Sequence, residues 1–262
     1  MKESKAIDAD RLGRVQSLVR AFGILDELGA ANGMTLSELA HLVGLPKSTA
    51  HRLLTTMETL EYVQFDRETC HWSVGVGAFR TGSAFAQTSS LEKVGRGIMR
   101  SLVLEVNHSV NLCVPRSHAI FYLKQVEPRG GWPTAAREGV SLPMYSTAAG
   151  KAIMACWTEN ELDAYFEKRE LVQRTHRTIG NRDSMRRELG MILERGYAID
   201  DEEQADGTRC VASVLTDRIG QPRGALSISD ASSRLKQAHF SDIGPIVASP
   251  AKKISLQVSH IG

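Results

Sequence analysis

The chain has 262 residues, 42% of them hydrophobic and 24% charged, with a formal net charge of +2. Such a composition describes a globular protein with room for two cores; no apolar run approaches the ~20 residues of a spanning helix, so no membrane is expected. MKESKAIDAD lacks the apolar centre of a signal peptide, and Cys70, Cys113, Cys156 and Cys210 stand far apart with no C-x-x-C pair, so the expectation is a cytoplasmic protein with reduced thiols, no metal and no cofactor.

A polar arm with Lys2, Lys5, Arg11 and Arg14 comes first. A helix is expected from about Arg14 to Leu28, with Val15, Leu18, Val19, Phe22 and Leu25 as its buried stripe. Thr35 and Glu38 then form a T-x-x-E capping box, which starts a helix at Leu36. Leu36, Leu39, Ala40 and Val43 make its apolar face, and Gly44 ends it. Pro46 suits the first turn of the next helix, which runs to about Leu60 with Ala50, Leu53, Leu54, Met57 and Leu60 inward.

The opposite side of that second helix carries Ser48, Arg52, Thr55 and Thr59, flanked by Thr49, His51 and Thr56, with no acidic residue between Pro46 and Met57. Short hydrogen-bonding side chains around a guanidinium suit phosphates and base edges in a major groove. A plain helical hairpin with a solvated face is the alternative. The brief Gly-containing connection and the ribbon that follows (YVQF, a DRET turn, then CHWSV with Trp72 and Val74 alternating) favour a winged helix-turn-helix over residues 1–75. Lys47, Ser48, Thr49, His51, Arg52 and Thr55, with Arg67 at the wing tip, are therefore the candidate contacts to double-stranded DNA. Residues 1–75 hold eight Lys/Arg against ten Asp/Glu, a net of −2, so a dimer with few phosphate contacts per subunit is expected.

Residues 76–90 form a small-residue linker helix whose Val76, Phe79 and Phe85 are candidate dimer contacts. Ser89 and Glu92 make a second capping box, and Leu91, Val94, Ile98, Leu102 and Val106 follow at helical spacing. Strands are expected at 110–114 and 119–126, then the turn-rich PRGGW. Helices follow at 148–156, at 158–168 with a Thr158–Glu161 box, and at 183–195, closed by Gly196. Strands return at 197–200, 210–216 and 224–229. A last helix from about Gln237 is expected to kink or break at Pro245 and Pro250. Mixed strands and helices make residues 91–262 an α+β domain.

Three motifs in this order, STAHRLLTTME, LPMYSTAAGKAIMA and RGYAIDDEEQADGTRCVASVLTDRIGQPRGALSIS, resemble the IclR family of bacterial transcription regulators from about Val15 to about Val258. HWSVG with FRTGSAF, and RGYAIDDEE with RCVAS, look most like its glyoxylate-bypass and allantoin-pathway repressors. The resemblance implies a winged-helix DNA domain, a linker helix and a GAF-like effector domain in a homodimer or a dimer of dimers. It also carries effector contacts onto the backbone of Ala148 and Ala149 and onto Asp200, Cys210, Ser227 and Ser229. The repressors have Gly where this chain has Ala148, and larger apolar residues where it has Gly131, Thr134 and Thr208.

The chemistry of these positions agrees. The N–H groups of Ala148 and Ala149 point out of a helix start, where an anion binds readily. Ser227 and Ser229 share a strand face with Ala225, as Cys210 does with Ala212. A tight core filled by Ser and Cys, and a solvated Asp200 in its DDEE turn, are the bland alternatives. The expected function is a ligand-responsive repressor answering to a small carboxylate, a 2-oxo acid such as glyoxylate or pyruvate. The alternatives are a regulator of aromatic-acid catabolism, or an enzyme with Cys210 or Cys113 as nucleophile and His108 or His118 as base.

Overall fold

The computed structural model describes residues 15–31, 33–88, 90–132 and 134–258, with the backbone alone for 83–88 and 90. Lys2, Lys5, Arg11, Arg14, Ser89 and the Phe85 side chain lie outside the described residues. The chain divides into two compact units, Met1–Thr88 and Ser89–Gly262.

The first unit contains α1 (Gln16–Ala30), α2 (Leu36–Leu42), α3 (Lys47–Thr59), the hairpin β1 (Val63–Asp66) and β2 (His71–Val74), and α4 (Val76–Thr88). The capping box is present: Glu38 N donates to Thr35 Oγ1 at 3.4 Å, and Thr35 N donates to Glu38 Oε2 at 2.8 Å. Two of the donors a helix start leaves free are thereby satisfied. Gly44, at φ 63°, makes the left-handed step that turns the chain into α3. Ile24, Leu28, Leu39, Leu54, Met57, Val63 and Trp72 form one core. Met34 and Trp72 exchange backbone hydrogen bonds of 2.9 and 2.7 Å, an isolated antiparallel bridge at the edge of the wing.

Six expected inward positions are exposed. In α1 the inward residues are Ile24 and Leu28, with Ala21 and Leu25 packed beside them, while Val15, Leu18, Val19 and Phe22 face out. This helix is apolar on two sides, so period alone allows either stripe, and packing on α3 and β2 selects one. Leu60 is 58% exposed because it follows the last turn of α3, where the chain swings through the left-handed Glu61 into β1. Val74, at the end of its strand, is 37% exposed, and only Trp72 on that side reaches the core.

The second unit begins with α5 (Ser90–Val106), β3 (Ser109–Arg116), β4 (Ala119–Val126), β5 (Ser141–Pro143) and α6 (Ala148–Met154). It continues through α7 (Glu159–Lys168), α8 (Arg182–Arg195), β6 (Ala198–Asp201), β7 (Thr208–Thr216) and β8 (Pro222–Ala231). A 3₁₀ turn at Gln237–His239 and α9 (Phe240–Val258) complete it. The strands form one antiparallel sheet in the order β5-β4-β3-β8-β7-β6.

Period-two alternation gives this sheet two unlike faces. Val110, Leu112, Val211, Leu226 and Ile228 turn towards α5 and α9 and build a wholly apolar core with Met99, Val247 and Ile254. Cys113, Tyr122, Cys210, Ala212 and Ala225 turn the other way, towards α6, α7 and α8. The Thr158–Glu161 box and the left-handed Gly196 end cap are both present. α9 runs unbroken through Pro245 and Pro250, contrary to the expected break. Pro245 is exposed and Pro250 half-buried, so the carbonyls they leave unpaired lie towards the outer side. Burial of Phe240, Ile243, Val247, Ala251 and Ile254 outweighs two missing hydrogen bonds. Among the described residues, no helix is long and apolar enough to cross a membrane.

Two glycines predict opposite outcomes. A Cβ on Gly150, in α6, would lie 2.2 Å from the Met144 carbonyl oxygen, whereas one on Gly190, in α8, would meet nothing within 4 Å. Gly150→Ala should cost about 1–3 kcal/mol by overpacking, and Gly190→Ala should stabilise by about 0.5–1 kcal/mol through helix propensity. Urea unfolding of the two variants measures both; equal effects would contradict the close approach at Gly150.

Candidate functional site

The inner face of the sheet carries a buried polar patch. Ser109 pairs with Ser229, Ser229 with Cys210, and Cys210 with Asp200, which makes one row across four strands. The adjacent row runs Asn111, Ser227, Ala212, Ala198. Directly opposed residues in antiparallel strands put their side chains on the same face. Ser227 and Ser229 are 1% and 0% exposed. The sheet thus brings Asp200, Cys210, Ser227 and Ser229 together.

α6 lies against β6, β7 and β8, with Ala148 and Ala149 in its first turn. Thr147 caps it by accepting from Gly150 N at 3.2 Å. Among the described residues, the N–H groups of Ala148 and Ala149 meet no acceptor. Positions 148, 149, 212 and 225 are all buried alanines.

Asp200 is not a solvated turn acid: it is 1% exposed. Its Oδ1 accepts from Glu203 N at 2.7 Å and Gln204 N at 3.2 Å, and so shapes the loop after β6. Burial, with the nearby Glu203 charge, pushes its carboxyl up to about 7, against the pull of Lys151. Lys151 is itself completely buried in α6. It donates to Glu203 and lies 3.5 Å from Glu188 of α8, which pairs with Arg195 at 2.7 Å. Burial raises Glu203 as well, with Lys151 opposing.

Three residues of this face escaped the sequence reading. Asn111, fully buried, donates from Nδ2 to Ser227 Oγ at 3.3 Å and to Ser229 Oγ at 3.0 Å. Tyr122 sits opposite Cys113 and is 2% exposed. Lys151 reads in sequence as an ordinary surface lysine of a helix. The one available signal was Asn111 itself, a lone polar residue between Val110 and Leu112 in a strand buried on both faces.

The same geometry disfavours cysteine catalysis. Burial pushes the Cys113 and Cys210 thiols well up, with only partial opposition from Ser227 and Ser229, so neither is poised as a thiolate. His108 is taken by Asp230 at 2.7 Å, and the His118 ring lies tilted against Tyr165 with centroids 5.9 Å apart.

In the first unit, Lys47, Ser48, His51 and Arg52 are exposed on one side of α3, and Thr49 and Thr55 are half-buried beside them. Thr55 Oγ1 donates back to His51 O and Arg52 O at 3.0 and 3.1 Å. Its proton is committed to the helix, so towards a partner it offers only lone pairs. Lys47 and Arg52 are the charged donors of this face and form no ion pair among the described residues. Arg67 stands exposed in the wing turn, where Asp66 accepts from Glu68 N and Thr69 Oγ1 at 2.9 and 2.7 Å.

Asp200 generates a pH prediction. A carboxyl raised on folding holds a proton that the unfolded chain has lost. Its stabilising contribution is therefore present below the ordinary carboxylate range and is lost as pH rises through about 7. Asp200→Asn keeps an oxygen for the two N–H donors and does not titrate. Its melting temperature relative to the native protein should rise between about pH 5 and about pH 8. A difference that does not vary with pH would contradict the assignment.

The chain matches the model of the IclR helix-turn-helix domain over residues 17–67 and that of the bacterial transcriptional regulator IclR C-terminal domain over residues 84–256. It is 36% identical over 258 residues to the acetate operon repressor of Salmonella typhimurium, covering 97% of this chain and 94% of that one. Its identity to the transcriptional repressor IclR of Escherichia coli is also 36%, over 251 residues, covering 95% and 92% of the two chains. The crystal structure of Thermotoga maritima IclR superposes with a TM-score of 0.78 at 26% identity, covering 94% of this chain and 100% of that one. A winged helix with an open polar α3 face and an α+β unit with a buried polar sheet face are matched over nearly the whole chain, and the protein belongs to the IclR family of bacterial transcriptional regulators.

Proposed function

We propose that the protein is a ligand-responsive repressor: residues 1–75 hold an operator, 76–90 link, and 91–262 bind a small carboxylate that alters operator affinity. The observation that carries the effector half is the buried row Asp200, Cys210, Ser229, with Ser227 beside it, beneath the uncapped N–H groups of Ala148 and Ala149. The N–H pair holds the carboxylate, Ser227 and Ser229 hydrogen-bond the remaining oxygens, Cys210 packs beside the oxo carbon, and Asp200 organises the loop after β6. A 2-oxo acid such as glyoxylate or pyruvate fits so small and polar a face. The names of the relatives, an acetate operon repressor among them, support repression.

The DNA half reads its operator with Lys47, Ser48, Thr49, His51, Arg52 and Thr55, while Arg67 reaches a flanking phosphate or the minor groove. Two copies act together. One winged helix carries few cations, and pairing multiplies effective concentration on a near-palindromic site. α1 exposes Val15, Leu18 and Phe22 at 58%, 56% and 59%, and α4 exposes Val76 and Phe79 at 62% and 74%. Such apolar surface suits a partner copy.

Operator titration with mass measurement of the complex tests the DNA half. Two copies per operator are expected, with Arg52→Ala costing about 1–3 kcal/mol and Arg67→Ala less. One copy per site, or unchanged affinity for the Arg52 variant, would refute this part. Calorimetry with glyoxylate and pyruvate tests the other half. Ser227→Ala combined with Ser229→Ala should weaken binding about ten-fold or more, at about 1.5–3 kcal/mol per charge-assisted bond, with operator binding intact. Tight binding of an aromatic acid and none of either oxo acid would overturn the effector class.

A further inference from the structure

Two groups on the polar sheet face have hydrogen-bonding capacity that their protein neighbours do not use. Asn111 is fully buried at the centre of the sheet. Its Nδ2 reaches Ser227 and Ser229, but its Oδ1 has no partner. An unmade bond at a buried amide is expensive, and folded proteins keep one where a ligand or water completes it. The serine hydroxyls either donate or accept. As it stands the amide offers its oxygen to a hydroxyl; turned over, it offers its NH2 group to an oxo oxygen and accepts from one serine, while the other serine keeps its proton for the ligand.

The second group is the Tyr122 phenol. Tyr122 faces inward from β4 opposite Cys113, in the same core as Ala148, Ala149 and Cys210. It belongs to the core built by Cys113 and Cys210, so it shares their side of the sheet. No hydrogen bond from its hydroxyl occurs among the described residues.

We propose that Asn111, with Tyr122 beside it, determines the chemical class of the effector: the open end of the amide hydrogen-bonds a hydroxyl or oxo oxygen next to the carboxylate, so the site takes small hydroxy- or oxo-carboxylates and rejects alkyl carboxylates of the same size. The inference rests on the effector reading above. A pocket built to hydrogen-bond an oxygen discriminates strongly against the analogue without it, because its own buried polar groups are then left unpaired. A merely apolar pocket discriminates weakly.

Pyruvate, lactate and propionate test this, since they share length and charge and differ only at the second carbon. Calorimetry on the full-length native protein should show pyruvate or lactate binding at least about ten-fold tighter than propionate. In Asn111→Leu that preference should shrink to within about three-fold. Tyr122→Phe should lose part of the preference. Operator binding and melting temperature report whether each variant is folded; if the leucine variant is not, Asn111→Ser, smaller and still polar, carries the same ratio. A folded Asn111 variant that keeps the full preference overturns the proposal, as does one that weakens all three acids in proportion, which marks a structural role. A native protein that binds none of the three, nor glyoxylate, overturns the effector reading and this inference together. That failure appears before any variant is made and is distinct from a failure confined to Asn111.

Discussion

The effector unit depends on one constraint, the alternation along β8. Leu226 and Ile228 point one way into a dry core, and Ser227 and Ser229 point the other. A strand cannot slip by one residue without exchanging these faces, which would drive serines into the α5–α9 layer and leucines under α6. The register with β3 and β7 is thereby set, and with it the rows that join Asn111 to Ser227 and Asp200 to Cys210 and Ser229. The apolar side supplies the stability that a half-polar inner face does not. Each fully buried Leu or Ile contributes about 1.5–3 kcal/mol, whereas buried hydroxyls and amides at best break even when hydrogen-bonded.

A second constraint holds α6 over that face. Lys151 is buried without contact to water, a costly placement that its carboxylate neighbours make tolerable. Its ties to Glu203 and Glu188 bind α6 to the loop after β6 and to α8, and Arg195 extends the chain of charges. Ser146 donates to Gln204 Oε1 at 2.5 Å and fastens the same loop again. Removing one member of such a buried pair typically costs about 3–5 kcal/mol, far more than an intact pair adds. The arrangement holds α6 against the loop after β6 and against α8 and is by itself a poor way to gain stability.

What could be read from sequence was whatever the chain settles locally. The capping boxes at Thr35–Glu38 and Thr158–Glu161 involve residues three apart, and Gly44 and Gly196 take conformations that few other residues accept. Strand alternation placed Ser227 and Ser229 on one face without knowledge of neighbours. What long-range packing decides was not readable. α1 has two apolar sides, and only α3 and β2 select Ile24 and Leu28 over Val15, Leu18 and Phe22. α9 survives two prolines because the sheet covers its inner stripe. Lys151 and Asp200 look solvated in sequence, and burial appears only once α6, α8 and β6 are assembled. Asn111 lies 116 residues from Ser227, a distance at which no local pattern reports a contact.

A ligand in the second unit can govern DNA binding by the first only if it binds one arrangement of the protein more tightly than another. The central claim is therefore a linkage between two sites on one chain, and linkage is reciprocal. The most direct test is calorimetric titration of the full-length protein with pyruvate or glyoxylate, free and saturated with operator. The account predicts a different affinity in the two states, matched by the same factor in operator affinity when the acid is present. Equal affinities in both states, for an acid that demonstrably binds, would contradict it.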